Sequence, residues 1–208
     1  MIDDVLSQAE DNLRVIRESM QRAKGLTNFG GVSGIFAGFL AIIGAFAQRI
    51  YVMSLPADAR SQGFFLCWSL MIAFAVVFDY WNLSRRSRDV NRSLATRIVR
   101  HNAKLALPSI LLGVLLTIAF VHEGRMNLVY PYWMLVYGCA VLAVAQGAAK
   151  ELVWLGRGFL AFGIVVLLLQ TFGSQHLRDA QIGLAAMLPS FGLLNIVYGI
   201  SVGRRDGW

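Results

Sequence analysis

The chain has 208 residues, of which 57% are hydrophobic and only 15% are charged. Soluble domains usually carry about 25% charged residues. The composition therefore excludes a disordered chain, a disulfide scaffold and an ordinary soluble enzyme, and it indicates a protein that crosses a membrane several times. The net charge of +7 does not point to nucleic acid, because the basic residues flank apolar segments, where membrane topology explains them.

The N-terminal segment, residues 1–24, has apolar or small residues spaced alternately by four and three positions, which is the pattern of a heptad seam. The seam includes Leu6, Leu13, Ile16 and Met20. We predict a cytoplasmic amphipathic helix here. Two uses of it stay open: packing on its own protein or on the inner leaflet, or pairing with a partner or a second copy as an assembly seam.

Six runs of 17 to 24 residues, each without a charged residue or a histidine, follow this segment. About 17–25 helical residues cross the hydrocarbon core of a bilayer, and the alternating pattern of β-barrel strands is not seen. The predicted fold is an all-α polytopic membrane bundle of six transmembrane helices over residues 25–203, with a cytoplasmic tail at 204–208. The predicted spans are 25–48, 61–78, 105–121, 126–149, 158–175 and 180–203.

The first span opens with glycines four residues apart, at Gly30, Gly34 and Gly38. Such a face of small residues lets another helix approach closely. The sequence leaves open whether this contact lies within one chain or between two chains.

The N-terminal helix contains Ile16, Arg17, Met20 and Arg22 in an IRxxMxR pattern, followed by the glycine-rich first span. This combination resembles a group of uncharacterised bacterial membrane proteins, in which a Phe-Thr pair opens that span; here the sequence at 26–29 is Leu-Thr-Asn-Phe. The resemblance implies a location in the bacterial inner membrane. It implies no activity.

The basic residues predict the orientation of the chain in the membrane. Of the 19 lysines and arginines, 15 fall on one side of the predicted spans, many of them in the arginine-rich connection 79–104. By the positive-inside rule this side is the cytoplasm, where both termini then lie, and anionic lipid headgroups are the expected partners of the basic flanks. Aromatic residues near the span edges, among them Trp68 and Tyr130 at the outer edge, are expected to form an aromatic belt.

Four polar residues are candidates for a transport path. Asp79 lies at the end of the second predicted span, and Gln146, Gln170 and Asn195 lie inside spans. An ionisable residue within a membrane is by default a functional hypothesis. The alternatives are an interfacial carboxylate paired with a nearby arginine, and amides that only form hydrogen bonds between helices.

Patterns typical of enzymes are weak. The sequence GVSG at 31–34 resembles the GxSG motif of rhomboid proteases, but all three histidines lie outside the spans, so no base is expected near Ser33. The predicted outer loops carry His122, Glu123, His176 and Asp179. A metal site there competes with the simpler interpretation of solvated side chains. We predict no catalytic residue, no cofactor and no metal site.

The sequence favours a non-enzymatic integral protein of the bacterial inner membrane that acts through helix–helix contacts. It would be a subunit, scaffold or sensor, as a homo-oligomer or with a membrane-protein partner. The heptad seam, the glycine face and the scarcity of buried charge support this interpretation. The alternative is a small permease or channel with a polar path near Asp79, Gln146, Gln170 and Asn195, in which a change at Asp79 removes flux but not folding.

Overall fold

The computed structural model describes residues 30–56, 59–86, 92–145, 150–175 and 180–206. Within these ranges the regular elements are helices, and no strand occurs. The predicted N-terminal helix with its seam residues Leu6, Leu13, Ile16 and Met20 lies outside the described residues, and so does Gln146.

Six helical stretches follow one another in the described part of the chain. They are α1 (Gly31–Ala47, extended by a π-helical turn at Gln48–Val52), α2 (Arg60–Arg86), α3 (Arg92–His122), α4 (Met126–Val144), α5 (Lys150–Phe172) and α6 (Ala180–Met187, a π-helical turn at Leu188–Leu194, and Asn195–Asp206). Each contains a stretch of 19 to 25 residues that is long and apolar enough to cross a membrane. The predicted number of spans is confirmed, and it indicates a multi-pass membrane protein.

The helix ends differ from the ends of the charge-free runs. Helix α5 begins at Lys150 rather than at residue 158, α2 continues to Arg86, and α3 begins at Arg92 rather than at residue 105. Charged side chains do not end a helix, because Lys and Arg are good helix formers whose long stems reach toward water. Arg157, for example, lies inside α5 with its guanidinium 5.8 Å from the centre of the Trp154 ring. A charge-free run locates the apolar part of a helix and not its termini.

The helices at the centre of the structure are α4 and α6. Helix α4 packs against α3, α5 and α6, and α6 also packs against α1 and α5. Helix α2 packs mainly against α1, and α3 packs mainly against α4, so these two successive helices lie at separate edges. Half of the apolar window of α4 is buried, compared with 6% for α2 and 11% for α3. The edge helices therefore turn most of their apolar side chains outward, as lipid-facing helices do.

The glycine face of the first span packs against α6 of the same chain. A Cβ added at Gly38 would lie 2.6 Å from the carbonyl oxygen of Gly192, and one added at Gly34 would lie 3.2 Å from the Cα atom of Gly199. Gly30 is buried immediately before the helix begins. Any larger residue at Gly38 would push the two backbones apart. The contact that the sequence left open is therefore made within one chain.

Helix α6 is interrupted by the π-helical turn that contains Pro189. Proline has no backbone N–H to donate to the carbonyl four residues earlier, so the regular hydrogen-bond ladder cannot continue there. The next α-helical segment begins at Asn195, whose side-chain amide donates to the carbonyl oxygen of Phe191 at 2.8 Å. The turn thus places Asn195 at the centre of the structure, and π-helical turns often occur at functional sites.

Candidate functional site

A small cavity of about 50 Å³ lies among five helices, namely α1, α2, α4, α5 and α6. It is nearer the predicted cytoplasmic end, since it includes Ser33 near the beginning of α1 and Asp79 near the end of α2. The polar side chains in its wall are Ser33, Asp79, Tyr137, Asn195 and Tyr198. Its other lining residues are Gly34, Ala37, Val141, Leu152 and Leu155.

The carboxylate of Asp79 is held by a short chain of hydrogen bonds. The side-chain amide of Asn82 donates to the hydroxyl oxygen of Ser33 at 2.9 Å, and Ser33 forms a hydrogen bond with Asp79. A serine hydroxyl has one hydrogen to donate. Because the Ser33 oxygen accepts from Asn82, its hydrogen is free to point at the carboxylate. Asn82 lies three residues after Asp79 and therefore on the same side of α2.

Asp79 is not neutralised by a basic side chain within the described ranges. No lysine, arginine or histidine described there forms an ion pair with it. The guanidinium of Arg85 lies 3.7 Å from the centre of the Trp81 ring instead, and the side chain of Arg86 is outside the described set. The ion pair that competed with a functional role is thus not formed with Arg85.

The opposite side of the cavity is formed by Tyr137 of α4 and Asn195 of α6. The Tyr137 hydroxyl donates to the side-chain oxygen of Asn195 over a long 3.5 Å. The Tyr137 ring packs against the rings of Phe159 and Phe191, with centroids 4.5 and 5.1 Å away, and these two rings also contact each other at 4.7 Å. Tyr137 and Asp79 both line the cavity. One carboxylate and several neutral oxygens therefore face the same small space.

Two of the four predicted path residues come together at this cavity, namely Asp79 and Asn195. Gln170 lies elsewhere. With its amide oriented to satisfy both neighbours, its side-chain nitrogen donates to the carbonyl oxygen of Asn127 and its side-chain oxygen accepts from the backbone N–H of Gly183 at 3.0 Å. Gln146 is outside the described residues. The four candidates do not form one continuous path in the part of the chain that is described.

A second buried polar cluster surrounds Gln48, on the predicted outer side. The Gln48 side-chain nitrogen donates to the Tyr130 hydroxyl at 2.5 Å, and its side-chain oxygen accepts from the indole N–H of Trp68 at 2.5 Å. Gly183, the partner of Gln170, packs against the Tyr130 ring. We call Gln48, Trp68, Tyr130 and Gln170 the outer polar layer. Tyr130 is only 1% exposed, so its assignment to an aromatic belt at the surface is wrong.

The sequence prediction missed Ser33, Asn82, Tyr137 and Tyr198 as site residues. Ser33 lies in the GVSG sequence, near which no base is expected, and the two tyrosines lie within long apolar runs. Asn82 lies beyond the end of the charge-free run, so it is not among the polar residues that the sequence places within a span. Its spacing of three residues from Asp79 on a continuing helix was the one signal that could have identified it.

The volume of the cavity limits what it can hold. Liquid water occupies about 30 Å³ per molecule, so the cavity holds one or two species of that size. Among the described residues no group of three or more His, Cys, Asp and Glu side chains could hold a metal ion. His122, the last residue of α3, and Glu123, the first residue of the loop after it, are exposed, and Glu123 pairs with Arg125 at 3.6 Å. Comparisons with protein-family models, curated proteins and solved structures find no match for this chain.

Proposed function

We propose that this protein is a small permease that carries a proton or a monovalent inorganic cation across the membrane on Asp79. The observation that supports the proposal is a carboxylate on an apolar, span-length helix that faces a small cavity, shared with the side chains of Ser33, Tyr137 and Asn195, without a basic partner among the described residues. Ionisable groups within membranes are costly, and they commonly mark ion pathways and proton relays.

Size and charge define the class of substrate. A cavity of about 50 Å³ is too small for a sugar, an amino acid or a nucleotide, since ligand sites for drug-sized molecules measure about 300–1,000 Å³. One carboxylate balances one positive charge. A divalent cation would need further carboxylates, and the described cavity wall contains none besides Asp79. A proton or an alkali cation fits both limits.

The proposal includes a location and an orientation. We place the chain in a bacterial inner membrane with both termini in the cytoplasm, on the strength of the basic flanks and the resemblance in the first span. Asp79 then lies toward the cytoplasmic end of α2, three residues from the end of the apolar stretch Gln62–Asn82. Anionic lipid headgroups would surround the basic helix ends on that side.

A role in assembly is the second hypothesis, and it now depends on fewer residues. The glycine face that supported it is occupied by α6 of the same chain, through Gly34 and Gly38. The exposed apolar faces of α2 and α3 are expected for helices that face lipid, so they do not by themselves indicate a partner. Assembly stays a prediction that depends on the N-terminal seam with Leu6, Leu13, Ile16 and Met20.

The test is ion flux in proteoliposomes. Vesicles with the purified protein are loaded with a pH-sensitive dye, and gradients of H⁺, Li⁺, Na⁺ and K⁺ are imposed in turn. The dye reports H⁺ flux directly, and with a protonophore added it reports alkali-cation flux through the H⁺ that moves in exchange. We expect flux of at least one of these ions above that of empty vesicles, and its loss in Asp79→Asn. Glu123→Gln, a change at an exposed loop carboxylate, is the matched control and should keep the flux. No flux of any of the four ions, or full flux in Asp79→Asn, would overturn the proposal.

A further inference from the structure

The outer polar layer and the Asp79 cavity belong to the same set of helices. Gln48 extends α1, Trp68 lies on α2, Tyr130 on α4 and Gln170 on α5, and Gln170 bonds to Gly183 of α6. These are the five helices that line the cavity. Helix α3 contributes no residue to the outer polar layer and none to the lining of the cavity. Its described hydrogen bond across helices, from the indole of Trp133 to the Thr117 hydroxyl at 2.9 Å, involves only α3 and α4.

The layer lies toward the predicted outer side of the cavity along each helix. Gln48 is 15 residues beyond Ser33 on α1, which corresponds to about 22 Å at 1.5 Å per residue. Trp68 lies 11 residues before Asp79 on α2, or about 16 Å, and Tyr130 lies 7 residues before Tyr137 on α4, or about 10 Å. The layer therefore lies between Asp79 and the predicted outer ends of these helices.

We infer that the outer polar layer is the outer gate of the Asp79 site, closed in this structure. The inference concerns access to the site and builds on the proposed function. The side chains of Gln48, Tyr130 and Gln170 are buried and hydrogen-bonded. When the helices part, amide, indole and phenol groups exchange these bonds for bonds to water. A purely apolar plug would instead expose surface that water does not solvate favourably.

A cysteine reporter in the cavity tests the gate. Ala37 lines the cavity and bears no polar group, so Ala37→Cys is introduced into a chain with Cys67→Ala and Cys139→Ala. Ag⁺, a thiol-binding cation small enough for the cavity, is applied to right-side-out and to inverted vesicles. The thiols that Ag⁺ has not blocked are then counted with a maleimide in SDS, and the blocked fraction is taken as the labelling. With the layer intact, we expect labelling mainly in inverted vesicles, where the cytoplasmic side is accessible.

Breaking the layer should raise labelling from the outer side. Trp68→Phe removes one hydrogen bond of Gln48, and we expect the outer-side rate to rise about threefold, the change expected for one interhelical hydrogen bond in a membrane protein. Gln48→Leu removes two, and we expect about tenfold. Tyr130→Phe removes only a hydroxyl and keeps the test valid if Gln48→Leu does not fold.

Trp133→Phe is the matched control, because it removes the same kind of indole hydrogen bond between α3 and α4, away from the layer. Its labelling should equal that of the parent. If Trp68→Phe, Tyr130→Phe and every Gln48→Leu sample that folds stay at the parent level, or if Trp133→Phe raises labelling as much, the layer is not the gate.

The two proposals can fail separately. The labelling rate reports opening of the helices and needs no transported ion, whereas ion flux in Asp79→Asn reports use of the carboxylate. If labelling responds as expected but Asp79→Asn keeps full flux, the gate stands and the assignment of Asp79 falls.

Discussion

The two buried polar regions of this protein differ in how completely their groups are paired. In the outer polar layer, Gln48 meets Tyr130 and Trp68 directly, and Gln170 meets backbone groups on two helices. In the inner region the carboxylate of Asp79 has Ser33 beside it and an open cavity in front of it. A saturated polar cluster joins helices, whereas a cluster that leaves acceptor capacity facing a cavity can receive a ligand. The comparison predicts that changes in the outer layer affect stability, and that changes at the inner site affect binding.

The largest effect on stability is expected at the contact between α1 and α6, because both helices contribute to both polar regions. Gly38→Leu places a side chain against the Gly192 carbonyl, 2.6 Å from where its Cβ must lie. We expect a loss of about 3 kcal/mol or more in the free energy of unfolding, at the upper end of overpacking costs. SDS-induced unfolding followed by tryptophan fluorescence measures it.

Gly158→Ala is the control for the glycine contact. Its added Cβ would lie 3.3 Å from a terminal methyl carbon of Leu194, which is the flexible end of a side chain. We expect a change below about 1 kcal/mol, since that methyl group can move aside. Equal losses in the two variants would mean that the close approach of α1 to α6 is not what supports the structure.

The next largest effect is expected in the outer polar layer. Gln48→Leu removes the hydrogen bonds that Gln48 forms with the Tyr130 hydroxyl and with the Trp68 indole. The loss of a buried hydrogen-bond partner costs about 1–3 kcal/mol, and we expect a destabilisation in that range, measured by the same SDS titration. If Gln48→Leu is as stable as the parent, the hydrogen bonds of the outer polar layer do not stabilise the protein, and the proposed difference between the two polar regions is wrong.

A smaller effect is expected for the residue that orients Ser33. Asn82→Leu removes the 2.9 Å hydrogen bond to the Ser33 hydroxyl, so that the serine hydrogen is no longer directed to Asp79. We expect about 1 kcal/mol of destabilisation and a rise of about threefold to tenfold in the cation concentration that gives half-maximal flux. Ser201→Ala, at an exposed hydroxyl on α6 that bonds only to its own helix, should change neither. A purely structural role of Asn82 would lower stability without moving the half-maximal concentration.

The smallest effect on stability is expected at Asp79, where the effect on function is largest. Asp79→Asn keeps the shape of the side chain and an oxygen that accepts from Ser33, so the free energy of unfolding should change by less than about 0.5 kcal/mol. Flux should nevertheless fall to that of empty vesicles. If Asp79→Asn unfolds the protein as Gln48→Leu does, the inner region is a structural polar cluster like the outer one.

Parts of the site could be predicted and parts could not. Asp79 and Asn195 were identified because a charge and an amide stand out in apolar runs. Gln170 was identified by the same signal but lies in the other region, because polarity within a span does not show which neighbour it faces. Tyr137 could not be identified at all, since a tyrosine within an apolar segment is as typical of packing as of a site.

The sequence by itself determined the number of apolar spans, the glycine spacing and the presence of one acid near the end of a span. These follow from composition and from the 3.6-residue period, which are local properties of the chain. Only the tertiary structure decided that Ser33, Asp79, Tyr137 and Asn195 face one cavity, and that Trp68 and Tyr130 bind Gln48 inside the protein. The physical reason is that lipid is as apolar as a protein core, so hydropathy does not tell which face of a helix turns inward. That choice is made by close packing, here by the approach of Gly38 to Gly192.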